Sequence, residues 1–290
     1  MEETTYSRII SGCMNWGIWD KKFSSRQIID MLEYALEIGI TTFDHADIYG
    51  GYTTENDFGK AFAESKIARE RIQLITKCGI QMHSEVRPNV IKHYEYSAAY
   101  IISSVERSLQ NLRTDYIDML LLHRPSPLMN PEIIAEAITR LRNDGKIRDF
   151  GVSNFTPSQI AMLEKAIPVA SNQIEFSLTA NDAMNNGCLD DSITHDRMMM
   201  SWSPLGSFFK EKAERALRIQ KVMQKMKEKY RATEDQLLLA WVLKHPSKIH
   251  PVVGTTTKSR LKNAIAAQQI AMELTDWYIL LEASRGHEVA

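Results

Sequence analysis

Residues 72–79, IQLITKCG, and residues 100–123, YIISSVERSLQNLRTDYIDMLLLH, decide the fold. Between the apolar runs 72–79 and 117–123, Ile101, Ile102, Val105, Leu109 and Leu112 recur at helical spacing on one face. A short β-rich run, a helix and a second β-rich run make the repeating unit of a parallel sheet. Working outward, the same alternation predicts strands within 7–12, 41–46, 147–153, 170–177, 198–204 and 250–255, eight in all. Helix starts lie between them. Ser24 with Gln27, Thr156-Pro157 with Gln159, and Thr233 with Gln236 carry capping logic, Asn130-Pro131 starts a helix running to Gly145, and Gly39 stops the first helix. A helix is also expected around 187–197. Eight βα units in 290 residues match a (β/α)8 TIM barrel of about 250 residues plus insertions. A doubly wound sheet is disfavoured, since no GxGxxG follows the first strand. No linker breaks the chain, so residues 1–290 are expected to form a single (β/α)8 barrel domain.

Lys and Arg number 35 against 36 Asp and Glu, a net charge of −1, which removes the electrostatic case for a nucleic-acid partner. With 44% apolar residues and five Trp there is material for a large core. Cys13, Cys78 and Cys188 are odd in number and form no CxxC pair, so neither a disulfide framework nor a thiolate zinc site is indicated. The N-terminus lacks a signal-peptide pattern and no long apolar run is present. A cytoplasmic protein without membrane contact is expected.

Active sites of such barrels sit at the C-terminal ends of the strands. Asp44 ends the second predicted strand with Tyr49 five residues on, Lys77 ends the third and His123 ends the fourth. Each has an ordinary reading: Asp44 a turn cap, Tyr49 a packing residue, His123 a hydrogen-bonded core histidine. Lys77 after Leu-Ile-Thr is harder to dismiss, because an ammonium at the end of an apolar strand must be paired. Their coincidence at successive strand ends favours chemistry.

The runs FDHADIYGGYTTENDFGKAF (43–62), ITKCG (75–79), LLLHRP (120–125), GKIRDFGVSNF (145–155), SNQIEFS (171–177), WSPLG (202–206) and VVGTTTKSRL (252–261) resemble the aldo-keto reductase superfamily in order and spacing. The likeness is greatest to its bacterial YdhF-like branch. This resemblance implies reduction of aldehydes or ketones by hydride transfer from NADP(H), preferred over NAD(H). Tyr49 would be the general acid, Lys77 would stabilise its phenolate, Asp44 would hold Lys77 charged, and His123 would orient the carbonyl.

By the same resemblance Ser153, Asn154 and Gln173 hold the nicotinamide carboxamide and Trp202 stacks under the ring. Ser203, Pro204, Leu205, Gly206 and Ser207 wrap the pyrophosphate, and Gly254, Thr255, Thr256, Lys258, Arg260 and Asn263 form the adenosine phosphate end. Arg260 is the reason to expect NADP(H), because a guanidinium binds a 2′-phosphate bidentately. Met14 is a further cofactor contact, and Trp16, Trp19, His45, Met82 and Phe208 are candidate pocket walls. The chain departs from the family pattern at Thr257-Lys258, where Lys-Ser is usual, and at Asn263-Ala264, where Glu-Asn is usual. Two alternatives stay open: an NADP(H)-binding regulatory protein with little turnover, and a metal-dependent barrel hydrolase. The latter is disfavoured because the adjacent Asp44 and His45 point to opposite faces of an extended strand. A small-molecule carbonyl substrate is the expected partner, and the chain is expected to be a monomer or small homo-oligomer.

Overall fold

The computed structural model describes residues 5–210 and 212–289. Eight strands close into a parallel barrel: β1 Ile10–Gly12, β2 Thr42–Asp44, β3 Gln73–Cys78, β4 Ile117–Leu122, β5 Ile147–Ser153, β6 Ser171–Glu175, β7 Met198–Trp202 and β8 His250–Val253. Each lies inside the run expected of it, and β1 pairs with both β2 and β8 to complete the circle. Around the barrel run α1 Ser25–Glu37, α2 Thr54–Ser65, α3 Ala98–Leu112, α4 Pro131–Asn143, α5 Pro157–Leu163, α6 Cys188–Thr194, α7 Glu214–Tyr230, α8 Glu234–Leu243, α9 Lys258–Ala266 and α10 Leu274–Arg285. The capping boxes of Ser24, Thr156 and Thr233 are all formed, and Asn130 accepts from the Glu132 and Ile133 amides.

Strand alternation sorts the side chains into two populations. Ile10, Ile75, Met119, Leu121, Met200 and Val252 point inward and fill the barrel, so its interior is a packed plug rather than a pore. The neighbours of these residues, such as Leu74, Cys78, Leu120 and Leu122, point outward and pack in the layer between barrel and helices. Tyr6 packs against the plug from below and donates to Asp149 Oδ2 at 2.9 Å. With the lower end closed in this way, the inward face at the strands' C-terminal ends is the one open to chemistry.

Three features there lie beyond the strand and helix pattern. A helical turn, Tyr49–Tyr52, follows β2 and places Gly50, Gly51 and Tyr52 in the left-handed region, with φ of 60°, 63° and 76°. An antiparallel ribbon of Ile80–Gln81 with His93–Tyr94 follows β3 and carries an 82–92 loop beside that turn. After β7 the chain forms both α7 and α8, and α10 returns to pack on α7. The indoles of Trp241 and Trp277 stack 4.8 Å apart and exchange Nε1–H···O=C bonds of 3.1 and 3.0 Å, joining α8 to α10.

Candidate active site

Lys77 occupies the inward position two residues after Ile75, where alternation buries it in the barrel. Its side chain is 1% exposed. An ammonium there needs all three of its N–H groups satisfied, and it donates to Asp44 Oδ1 at 2.6 Å, to the His45 carbonyl at 2.7 Å and to the Tyr49 hydroxyl at 3.3 Å. Burial pulls the Lys77 ammonium below its ordinary pKa, while Asp44 acts to raise it. With its oxygen accepting from Lys77, the Tyr49 phenol keeps its own O–H to donate elsewhere. Burial first, then the Asp44 carboxylate, holds that phenol well above its ordinary value, so it stays protonated at neutral pH.

His123 follows the last residue of β4 on the inward face. Its ring centroid is 6.1 Å from that of Tyr49, in an edge-on arrangement. Burial, then Lys77, Arg124 and Lys92, pushes the imidazole well below its ordinary pKa, so it is neutral and carries one N–H. Trp19 stands on the other side, its ring 6.2 Å from Tyr49 and 43% exposed. Met82 packs on Ile48, Tyr52 and Ile80 beside Tyr49. Asp44, Tyr49, Lys77, His123, Trp19 and Met82 therefore converge on one mouth.

Gln173 makes a bond that its sequence context does not announce. Its Nε2 donates to Asp44 Oδ1 at 2.8 Å, so Asp44 is held by Gln173 as well as Lys77. Asn154, at φ 62°, donates to Ser153 Oγ at 2.8 Å and accepts from Trp202 Nε1 at 3.0 Å. Ser153 Oγ in turn donates to the Gln173 carbonyl at 2.9 Å. A continuous chain of hydrogen bonds thus fixes the plane of the Trp202 indole. Arg124, also not singled out from sequence, lies with its guanidinium carbon 5.5 Å over that ring.

Beyond Trp202, the loops after β7 and β8 lie side by side, a place where barrels commonly bind phosphate. Ser203 is at φ 48° and Gly206 at φ 58°. At Gly206 a Cβ would fall 1.9 Å from Thr179 Oγ1, so only glycine fits that turn. Pro204 is buried and Leu205 packs into the helical layer. The Ser207 amide donates to Thr179 Oγ1 at 2.9 Å, and Arg215 reaches Ser207 Oγ at 3.1 Å, an unforeseen cation at this loop. Across from it, Asn15 Nδ2 donates to the Gly254 carbonyl at 3.0 Å, with Met14 exposed beside it. Thr255 and Thr256 are half-buried, and Thr257 makes no side-chain cap on α9, leaving the first N–H groups of that helix free to donate. Arg260 is exposed in the first turn. Two neighbours are already engaged: Lys258 Nζ with Asp30 of α1 at 2.6 Å, and Asn263 Nδ2 with Asp235 of α8 at 3.2 Å.

Three expected pocket walls lie elsewhere. Trp16 is 1% exposed and packs among Phe23, Phe43 and Phe58, because its short 3-10 turn directs the indole into the layer beneath α1 and α2. Phe208 is buried in the layer containing α7 and α8. His45 points away from Asp44, as alternation requires, and its ring meets Phe58 edge to face at 4.4 Å.

Both ring nitrogens of His45 are buried without a hydrogen-bond partner, and burial, then Lys77, pushes its pKa down to about 3. A folded-state value below the unfolded one, about 6.5, leaves the folded state at full stability above about pH 6.5 and costs it about 1.4 kcal/mol per unit as pH falls towards 3. Between about pH 7 and about pH 5 this single residue accounts for about 2 kcal/mol of lost stability. Urea unfolding of wild type and His45→Leu at both pH values checks it: the variant is expected to lose about 2 kcal/mol less over that interval.

The family model described as the aldo/keto reductase family matches residues 8–281, and the chain belongs to that family. Over 294 residues it is 41% identical to the uncharacterized oxidoreductase YcsN of Bacillus subtilis strain 168, covering 99% of this chain and 97% of that one. It is 38% identical over 288 residues to oxidoreductase YdhF of Escherichia coli K12, covering 98% and 95% respectively. The branch expected from the motifs is thus borne out. In three dimensions the fold is similar to that of a glycerol dehydrogenase from Gluconobacter oxydans, with a TM-score of 0.86 at 22% identity over 98% of this chain and 93% of that one. Among the described residues no helix is long and apolar enough to cross a membrane.

Proposed function

We propose that this protein is an NADP(H)-dependent reductase of aldehydes or ketones in which Tyr49 is the proton donor. The observation that carries the reading is the third N–H of Lys77, directed at Tyr49 Oη over 3.3 Å while the other two are held by Asp44 and His45. The residues present suit the cofactor. Trp202 offers a fixed aromatic face, the loops after β7 and β8 offer a tight glycine turn and uncapped helix amides, and Arg260 offers an exposed guanidinium. Trp202 would hold a reduced nicotinamide, and that group, when bound, would supply the hydride.

The chain's own groups do the rest. The neutral imidazole of His123 donates to the carbonyl oxygen and orients it, and the Tyr49 O–H donates to the same oxygen. As negative charge grows on that oxygen the Tyr49 proton moves to it. The phenolate left behind accepts from Lys77, whose charge Asp44 and Gln173 hold in place. Trp19 and Met82 flank this chemistry and shield it from water. Three buried free cysteines suit a reducing compartment, which supports a cytoplasmic location.

NADPH oxidation followed by absorbance across a panel of aldehydes and ketones tests the reading, with turnover expected for carbonyls and for no alcohol or ester. If Arg260 meets a 2′-phosphate, NADPH binds more tightly than NADH by roughly 1.5–3 kcal/mol, a charge-assisted contact. That is about 10- to 150-fold in dissociation constant. Fluorescence titration checks it, and equal constants for the two cofactors would remove Arg260 from the site.

A further inference from the structure

Asp47 lies between β2 and Tyr49 and is not used by the mechanism above. Its side chain is 4% exposed. Oδ2 accepts from Ser104 Oγ at 3.2 Å and Tyr100 Oη at 3.3 Å, both on α3, and Oδ1 has no partner. A cation from the 82–92 loop pairs with it: Arg87 Nη1 is 3.8 Å from Oδ2. The same guanidinium lies over Tyr52, its carbon 3.9 Å from the ring centroid. Tyr52 is itself tied to the base of the loop, accepting from the Met82 amide at 3.0 Å and donating to the Ile80 carbonyl at 3.4 Å.

These contacts bear on Tyr49 through the backbone. Gly50, Gly51 and Tyr52 follow it in three successive left-handed conformations, which the two glycines adopt freely but which Tyr52, a residue with a bulky side chain, takes only with support from its surroundings. The bonds of the Tyr52 hydroxyl to the Met82 amide and the Ile80 carbonyl anchor the turn from outside, beside the local bond from Thr53 Oγ1 to the Gly50 carbonyl at 2.8 Å. Met82 also flanks the mouth, so whatever fixes the loop fixes one wall of the substrate pocket and the turn of the proton donor together.

We propose that Asp47, Arg87 and Tyr52 form a latch that fastens the 82–92 loop to the turn carrying Tyr49, making Asp47 and Arg87 positioning residues for the carbonyl substrate. Its kinetic readout rests on the reductase reading, while its physical readout does not. Beside Arg87, the groups facing Asp47 are Glu55 of α2, Tyr100 of α3, Cys78 of β3, and Tyr49, Tyr52 and Tyr96. Burial, then Glu55, raises the Asp47 carboxyl to about 7, with Arg87, Ser104 and Tyr100 acting to lower it. Above that value the carboxylate is charged and the latch fastened. As pH falls through it, the carboxyl takes up a proton and the ion pair with Arg87 is lost. Loss of Arg87 moves the Asp47 value further up.

The test uses the full chain as wild type, Arg87→Gln, Arg87→Lys and Asp47→Asn. Hydrogen–deuterium exchange of the 82–92 amides, expressed relative to each amide's intrinsic rate at the same pH, is measured on the cofactor-free protein, and KM for one aldehyde substrate is measured, both at pH about 8 and about 6. At the lower pH wild type is expected to exchange faster relative to that intrinsic rate and to show a KM several-fold higher. In Arg87→Gln, exchange and KM at the higher pH rise about tenfold and neither depends further on pH over this range. Arg87→Lys falls between, since an ammonium can pair with Asp47 but lacks the planar guanidinium that covers the Tyr52 ring. Asp47→Asn shows the low-pH behaviour at both values. Because Arg87 sits in a loop outside the barrel, its variants keep the test readable if Asp47→Asn does not fold. Unchanged exchange and unchanged KM in Arg87→Gln would overturn the latch, as would losses that only track the folded fraction. If no carbonyl is reduced by wild type, the reductase reading fails and the exchange data still decide the latch.

Discussion

Lys77→Met and Asp44→Asn each lower turnover per folded molecule by about 10²-fold or more, and the double variant falls little further than either single one. The expectation follows from the contacts. Lys77 Nζ is 2.6 Å from Asp44 Oδ1 and 3.3 Å from Tyr49 Oη, so removing the ammonium removes the group that receives the phenolate. Asp44→Asn keeps an oxygen that can accept from Lys77 but removes the negative charge that balances the buried ammonium. Both routes break the same unit, so their costs in kcal/mol do not add. The pH profile gives a second signature: with Lys77 gone the phenol is held still higher, and the basic limb of the profile moves upward. Stability must be read on the same four proteins, since each single variant leaves one buried charge without its partner, at about 3–5 kcal/mol. Additive catalytic losses, or loss of melting temperature with turnover per folded molecule intact, would reduce the pair to a structural one.

The barrel was legible because each βα unit writes its own local pattern. Ile101 to Leu112 and Ile117 to Leu122 need no distant partner to declare a helix and a strand, and alternation then sends Asp44, Lys77 and His123 inward together. The errors fall where no period operates. Trp16 and Phe208 lie in loop segments, where an aromatic residue turns towards a mouth or into a core according to contacts far along the chain. His45 followed the strand rule, which already opposed it to Asp44, yet its place in a motif suggested the pocket. The bond from Gln173 to Asp44 spans 129 positions, and that from Lys258 to Asp30 spans 228. Pairings of that kind leave no trace in spacing, which is also why Arg87, Arg124 and Arg215 went unmarked.

Tyr49→Phe is expected to bind NADPH within about twofold of wild type and to reduce carbonyls about 10²–10⁴-fold more slowly. The substitution keeps the ring and with it the edge contacts to Trp19 and His123, at 6.2 and 6.1 Å, so the mouth retains its shape. It removes one O–H, that of a phenol whose oxygen already accepts from the Lys77 ammonium. His123 still polarises the carbonyl, which sets a floor under the residual rate. The most direct measurement is a single turnover: enzyme saturated with NADPH, mixed with excess aldehyde, and cofactor oxidation followed in wild type and Tyr49→Phe side by side. A rate at least about 100-fold lower in the variant, with NADPH affinity unchanged, is the result expected of a lost proton donor. A rate close to that of wild type would contradict it, and with it the assignment of Tyr49 as the acid.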